Sequence, residues 1–125
     1  MKYIRKIISN LLLLILIIAF SCSKELPKPS LIGTWKEGRT IIGCPDGSFD
    51  KSTCSGNCNA VISATTFTDT DVAKTVYNYT VNGNIITLKT STITLMYTYE
   101  LTVGSLTIAI TDQSGCVYTY YYTKV

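Results

Sequence analysis

Thr94-Leu95-Met96-Tyr97-Thr98-Tyr99-Glu100-Leu101-Thr102-Val103 is the run that decides the fold. Leu95, Tyr97, Tyr99, Leu101 and Val103 alternate with Thr94, Met96, Thr98, Glu100 and Thr102. A two-residue apolar period is the mark of a strand with one buried and one solvated face. The same pattern continues on both sides. Downstream, Gly104-Ser105 turns into Leu106, Ile108 and Ile110, Asp112 to Gly115 turns again, and Cys116 to Val125 closes the chain. Upstream, from Val72, Tyr77, Tyr79 and Val81 alternate with Asn78 and Thr80. Asn82-Gly83-Asn84 is a hairpin signal, and Ile85 to Thr90 makes the return strand.

The first part of the domain reads less regularly. Leu31 to Ile42 predicts a strand and carries the only Trp. Gly43 to Asn57 predicts a long loop, with Gly, Pro, Asp, Ser, Asn and three cysteines in or beside it. Asn59 to Thr68 predicts one further strand, and Thr68 to Asp71 a turn. Nineteen Thr and, beyond the first twenty-one residues, eight Tyr favour strands. Pro27, Pro29 and Pro45 are the only prolines, so none interrupts a sheet after Pro45. The expected architecture is all-β: an antiparallel meander of seven or eight strands in a single domain of residues 31–125. Such a sheet hides its edges by closing or doubling, and closure into a small barrel is the preferred form.

Ahead of the domain, Lys2, Arg5 and Lys6 precede an unbroken apolar run, Leu11 to Phe20. That run is short of the about 20 residues a bilayer span takes, and has the length and flanks of a secretory signal helix. Ile18-Ala19-Phe20-Ser21-Cys22 resembles a bacterial lipobox. The resemblance implies a signal peptide over residues 1–21, a diacylglycerol on Cys22 and a linker over residues 22–30. Two or three acyl chains on one residue anchor a protein durably. Ser23 after the lipidated position implies sorting to the outer membrane of a Gram-negative bacterium, on its periplasmic or surface-exposed face.

The chain's formal charge of +3 is carried entirely by Lys2, Arg5 and Lys6; residues 22–125 hold eight Lys/Arg against eight Asp/Glu. Nucleic-acid binding needs a clustered positive surface, and the balance excludes that class of partner.

Leu31-Ile32-Gly33-Thr34-Trp35-Lys36, with a tyrosine-rich strand at the C-terminus, resembles the small lipocalin-like lipoproteins of Gram-negative bacteria. The resemblance spans residues 31–125 and its specific part is Gly33-Thr34-Trp35. It implies that Trp35 plugs the narrow end of the barrel and that a basic residue of the last strand, here Lys124, lies across its ring. The family's second motif is incomplete, as Thr111-Asp112-Gln113, and the domain is shorter than a standard lipocalin, which argues against a deep cavity.

With Cys22 acylated, Cys44, Cys54, Cys58 and Cys116 remain, an even number in an oxidising compartment, and two disulfides are expected. A zinc site would need paired knuckles that the spacing lacks. If the first and last strands are antiparallel neighbours, Cys44 meets Cys116 and Cys54 meets Cys58. The rival pairing, Cys44–Cys58 with Cys54–Cys116, stays open.

Histidine is absent, which removes the commonest general base and metal ligand. No nucleophile elbow or phosphate-cradling loop occurs, so no catalytic residue, metal or cofactor is expected. Glu37 and Glu100 are expected to face solvent, and Asp46, Asp50, Asp69 and Asp71 to serve turns. Two functions follow. In the first, the barrel binds a small hydrophobic or aromatic ligand, with Tyr77, Tyr79, Tyr97, Tyr99, Leu101, Ile108 and Tyr120 in its wall. In the second, those rings fill the barrel. The chain is then an envelope scaffold, accessory subunit or protease inhibitor whose partner protein docks on loop 43–57.

Overall fold

The computed structural model describes residues 26–70 and 74–125; the expected signal helix and Cys22 lie outside them, as does the end of the expected turn at Asp71. Among the described residues there are nine strands and no helix. They are β1 (Gly33–Gly43), β2 (Phe49–Ser52), β3 (Asn59–Ile62), β4 (Thr66–Asp69), β5 (Val76–Asn82), β6 (Ile85–Lys89), β7 (Thr94–Leu101), β8 (Ser105–Thr111) and β9 (Val117–Lys124). All pairings are antiparallel between chain neighbours, apart from β1 with β3 and β1 with β9. The β1–β9 pairing closes β1 and β3 to β9 into an eight-stranded barrel. β2 stands outside that ring, paired only with the far half of β1, Thr40–Gly43. Closure leaves the ring without an open edge, as the long, exposed-edge meander required.

The alternation of the sequence becomes the inside and outside of the barrel. Trp35, Ile62, Phe67, Ile86, Leu88, Leu106 and Ile108 are buried inside, with Leu31, Tyr77, Tyr79, Leu95, Tyr97, Tyr99, Leu101 and Tyr122 packed against them. Trp35 is fully buried, and its indole N–H donates to Leu31 O at 2.8 Å. Lys124, its direct partner across β1 and β9, holds Nζ 5.1 Å from the indole centroid and donates to Ser30 O at 3.2 Å. Gly33 makes room for this: its φ is +146°, and a Cβ there would stand 2.9 Å from Lys124 Cε. The turns at Ser63, Gly83 and Gly104 gather at this same end. Tyr79 donates its hydroxyl to Ser63 O and Tyr99 to Gly83 O, and Gly104 O accepts from Lys124 N–H. One end of the barrel is therefore plugged.

The first part departs from the sequence expectation in three ways. Loop 43–57 contains β2, whose four residues Phe49, Asp50, Lys51 and Ser52 are all exposed. With no face to bury, it has no apolar alternation to read. Asn59 to Thr68 is two strands, because Ser63–Thr65 turns: Ser63 Oγ accepts the Thr65 and Thr66 N–H groups, a serine turn inside an apparently continuous strand. And β1 carries a bulge. Glu37 pairs with Tyr122 and Arg39 with Tyr121, so β1 takes two steps where β9 takes one. The bulge at Gly38 shifts the inward set of β1 from Trp35 and Glu37 to Thr40, which is buried beside Tyr120.

Candidate functional site

Opposite the plug the barrel stays open. The far halves of the strands splay around a cavity of about 380 Å³. Its floor is apolar, made by Phe67 of β4, Leu88 of β6 and Ile108 of β8, all nearly fully buried in the core. Its wall is phenolic: Tyr77 on β5, Tyr97 on β7, and Tyr120 and Tyr122 on β9. Two carboxylates, Glu37 and Asp69, complete it, with Ser52, Thr53, Cys54 and Cys58 arching over the mouth. Its size, a few hundred cubic ångströms, is that of a common small-molecule site, but its lining is more polar than most, with an apolar floor under phenols, hydroxyls and two carboxylates.

Each wall residue is placed by the two-residue period. Tyr77 stands opposite Phe67 and Tyr120 opposite Ile108 in neighbouring strands, so rings and floor form continuous rows. Of the tyrosines and apolar residues expected to line a ligand site, the cavity gathers Tyr77, Tyr97, Ile108 and Tyr120, and adds Tyr122. Tyr79, Tyr99 and Leu101 do not line it. They lie against the packed core, the two phenols bonded to carbonyls at the plugged end. In the Tyr120-Tyr121-Tyr122 run, Tyr121 is the ring that points outward, and Arg39 stacks on it with Cζ 4.3 Å from the centroid.

Glu37 corrects the expectation that it faces solvent. It is half-buried at the cavity, its N–H donates to Cys58 O at 2.8 Å, and its Oε1 accepts the Thr40 hydroxyl at 2.6 Å. The reason was visible in the period: Trp35 points inward, so Glu37, two residues on, must follow. Asp69, two residues after the buried Phe67, reaches the mouth by the same rule. Asp46 and Asp112 do serve turns. Asp46 accepts the Ser48 N–H, and Asp112 Oδ1 accepts the Ser114 hydroxyl and the N–H groups of Ser114 and Cys116. The Ser48 and Ser114 hydrogen bonds hold the two carboxyls below their usual range.

The phenols show what environment the cavity offers. Burial pushes Tyr97 up to about 12, with Tyr120, Tyr77 and the Asp69 carboxylate adding to it. Burial raises Tyr122 further, followed by Glu37 and Asp69, and Tyr120 is raised by burial and then Glu37. All three stay neutral and able to donate hydrogen bonds through the physiological range.

The cysteines tie the open end. Cys44 is bonded to Cys116 with Cα atoms 4.1 Å apart, across the Gly43–Val117 end of the β1–β9 ladder. Cys54 is bonded to Cys58 and closes the loop over the cavity. Thr70 fastens that loop from the β4 side: Oγ1 donates to Asn59 O at 2.7 Å and accepts from Asn59 N. No family model, curated protein or solved structure matches the chain, so the site is read from its own residues.

Proposed function

We propose that the chain is an outer-membrane lipoprotein with a lipocalin-like barrel, tethered through Cys22, which binds a small hydrophobic or aromatic ligand and performs no chemistry on it. The observation that carries this reading is the open, tyrosine-walled cavity over an apolar floor. A filled barrel acting as an interaction scaffold would close at both ends, whereas this one closes only at Trp35. The loop that the scaffold reading would offer to a partner instead arches over the cavity, bonded by Cys54 and Cys58.

The test is a titration of the protein with N-phenyl-1-naphthylamine, an uncharged dye that brightens in apolar surroundings. One saturable equivalent is expected. Ile108→Phe, which fills the floor, should abolish that binding while leaving the far-ultraviolet circular dichroism unchanged. Dye binding that is absent, or that Ile108→Phe leaves intact, refutes the reading.

A further inference from the structure

Among the described residues, none that lines the cavity is a Lys, Arg or His, yet two of them are carboxylates. The backbone enforces this. The bulge at Gly38 turns Arg39 to the outer surface and onto Tyr121. With a regular β1, the two-residue period would carry Arg39 inward after Trp35 and Glu37, and put a guanidinium among the phenols. The cationic neighbours of Glu37 in sequence, Lys36 and Arg39, are both exposed.

We infer that the cavity selects ligands that carry a protonated amine on an aromatic or aliphatic body, the amine at the Glu37–Asp69 side and the body on Phe67, Leu88 and Ile108. This rests on the binding reading above and names the charge of its ligand. Aromatic faces beside carboxylates are a recurring way to hold an ammonium, because the ring quadrupole and the anion attract the same charge. Glu37 is prepared for the role: Thr40 and the bulge fix its carboxylate, so little side-chain freedom is lost on binding. After burial, Glu37 and Asp69 help hold the Tyr122 phenol neutral and Asp69 contributes at Tyr97, which places the same negative field inside the cavity. A fatty acid or other carboxylate ligand would enter against that field with no cation among the described lining residues.

Three probes with one indole body separate the possibilities by calorimetry on the purified full chain: tryptamine (cationic), tryptophol (neutral) and indole-3-propionate (anionic). Tryptamine should bind about tenfold or more tighter than tryptophol, and indole-3-propionate should be the weakest. Glu37→Gln keeps an acceptor for Thr40 and should remove most of tryptamine's advantage over tryptophol, read as the ratio of the two affinities; Asp69→Asn is the second variant, expected to act in the same direction. Raising the ionic strength should narrow the gap. Equal binding of all three, or tightest binding of the anion, overturns the charge selectivity and leaves the hydrophobic pocket standing. No binding of any probe overturns the charge selectivity alone where N-phenyl-1-naphthylamine still binds, and overturns both readings where it does not.

Discussion

Tyr97 shows at a single residue how the site and the stability of the fold are linked. Its phenol is raised from the ordinary 10.0 to about 12, first by burial and then by Tyr120, Tyr77 and Asp69. The folded state therefore favours the protonated form. Below pH about 10 both folded and unfolded chains hold the proton and the contribution is complete. Between about 10 and 12 the unfolded chain ionises while the folded one does not, and stability falls. Stability followed by urea denaturation should decline across that window, and Tyr97→Phe should make the decline shallower. Absorbance titration of the folded protein should show a phenol ionising near 12 that is missing in Tyr97→Phe; an unchanged titration curve would place the raised group elsewhere. Glu37 teaches the complementary lesson about legibility. Its inward direction followed from Trp35 by simple parity, but the desolvation cost of a carboxylate argued for solvent. A cavity open at its mouth, with Thr40 as donor, resolves the conflict.

Strands that bury one face could be read from their sequence, and strands that bury none could not. β5, β7 and β8 each present alternating apolar positions, and their buried and half-buried residues include Tyr77 and Tyr79, Leu95 to Leu101 in alternation, and Leu106, Ile108 and Ile110; Val81 and Val103, expected in the same rows, are exposed at the plugged end, where β7 stops at Leu101. Gly83 at the first loop position between β5 and β6, with φ +59°, is the expected hairpin device. β2 is four exposed residues held by its pairing to β1, and the Ser63 turn and Gly38 bulge depend on a local hydroxyl-to-backbone bond and a register shift that no apolar period announces. The two disulfides divide their roles by element. Cys44–Cys116 closes a sequence separation of 72 and joins the first and last strands; Cys54–Cys58 closes one of 4 and shapes a loop. The loop-entropy model gives about 4 kcal/mol for the first and about 2 kcal/mol for the second. Replacing Cys44 and Cys116 by Ala should therefore cost more in chemical denaturation than replacing Cys54 and Cys58. The smaller loss should bring the larger weakening of dye binding, since only Cys54 and Cys58 line the cavity. Equal effects of the two pairs on both measurements would show that the loop and the barrel seam are not separate units.

For the whole molecule, the entry of the chain fixes which end would face the proposed tether. Leu26 to Ser30 are exposed and lead into β1 at Gly33, and Ser30 O accepts from Lys124 beside the Trp35 plug. The linker thus joins the barrel at its closed end, and the cavity opens at the opposite one. A proposed acyl anchor at Cys22, on a linker containing Pro27 and Pro29, would hold the plug toward the bilayer and leave the mouth free. Anchoring and binding should then be independent. Protein made with its own leader should fractionate with membranes and carry the thioether-linked diacylglycerol on Cys22 in mass spectrometry. Protein made with a cleavable, non-lipid secretory leader placed before Ser23 should be soluble. Both forms should bind N-phenyl-1-naphthylamine with the same affinity, the lipidated form being measured in vesicles after correction for dye partitioning. An unacylated Cys22 would remove the anchor from the proposal. A soluble form that binds much more tightly than the tethered one would mean that the membrane covers the mouth, and that the closed end is not the end held to it.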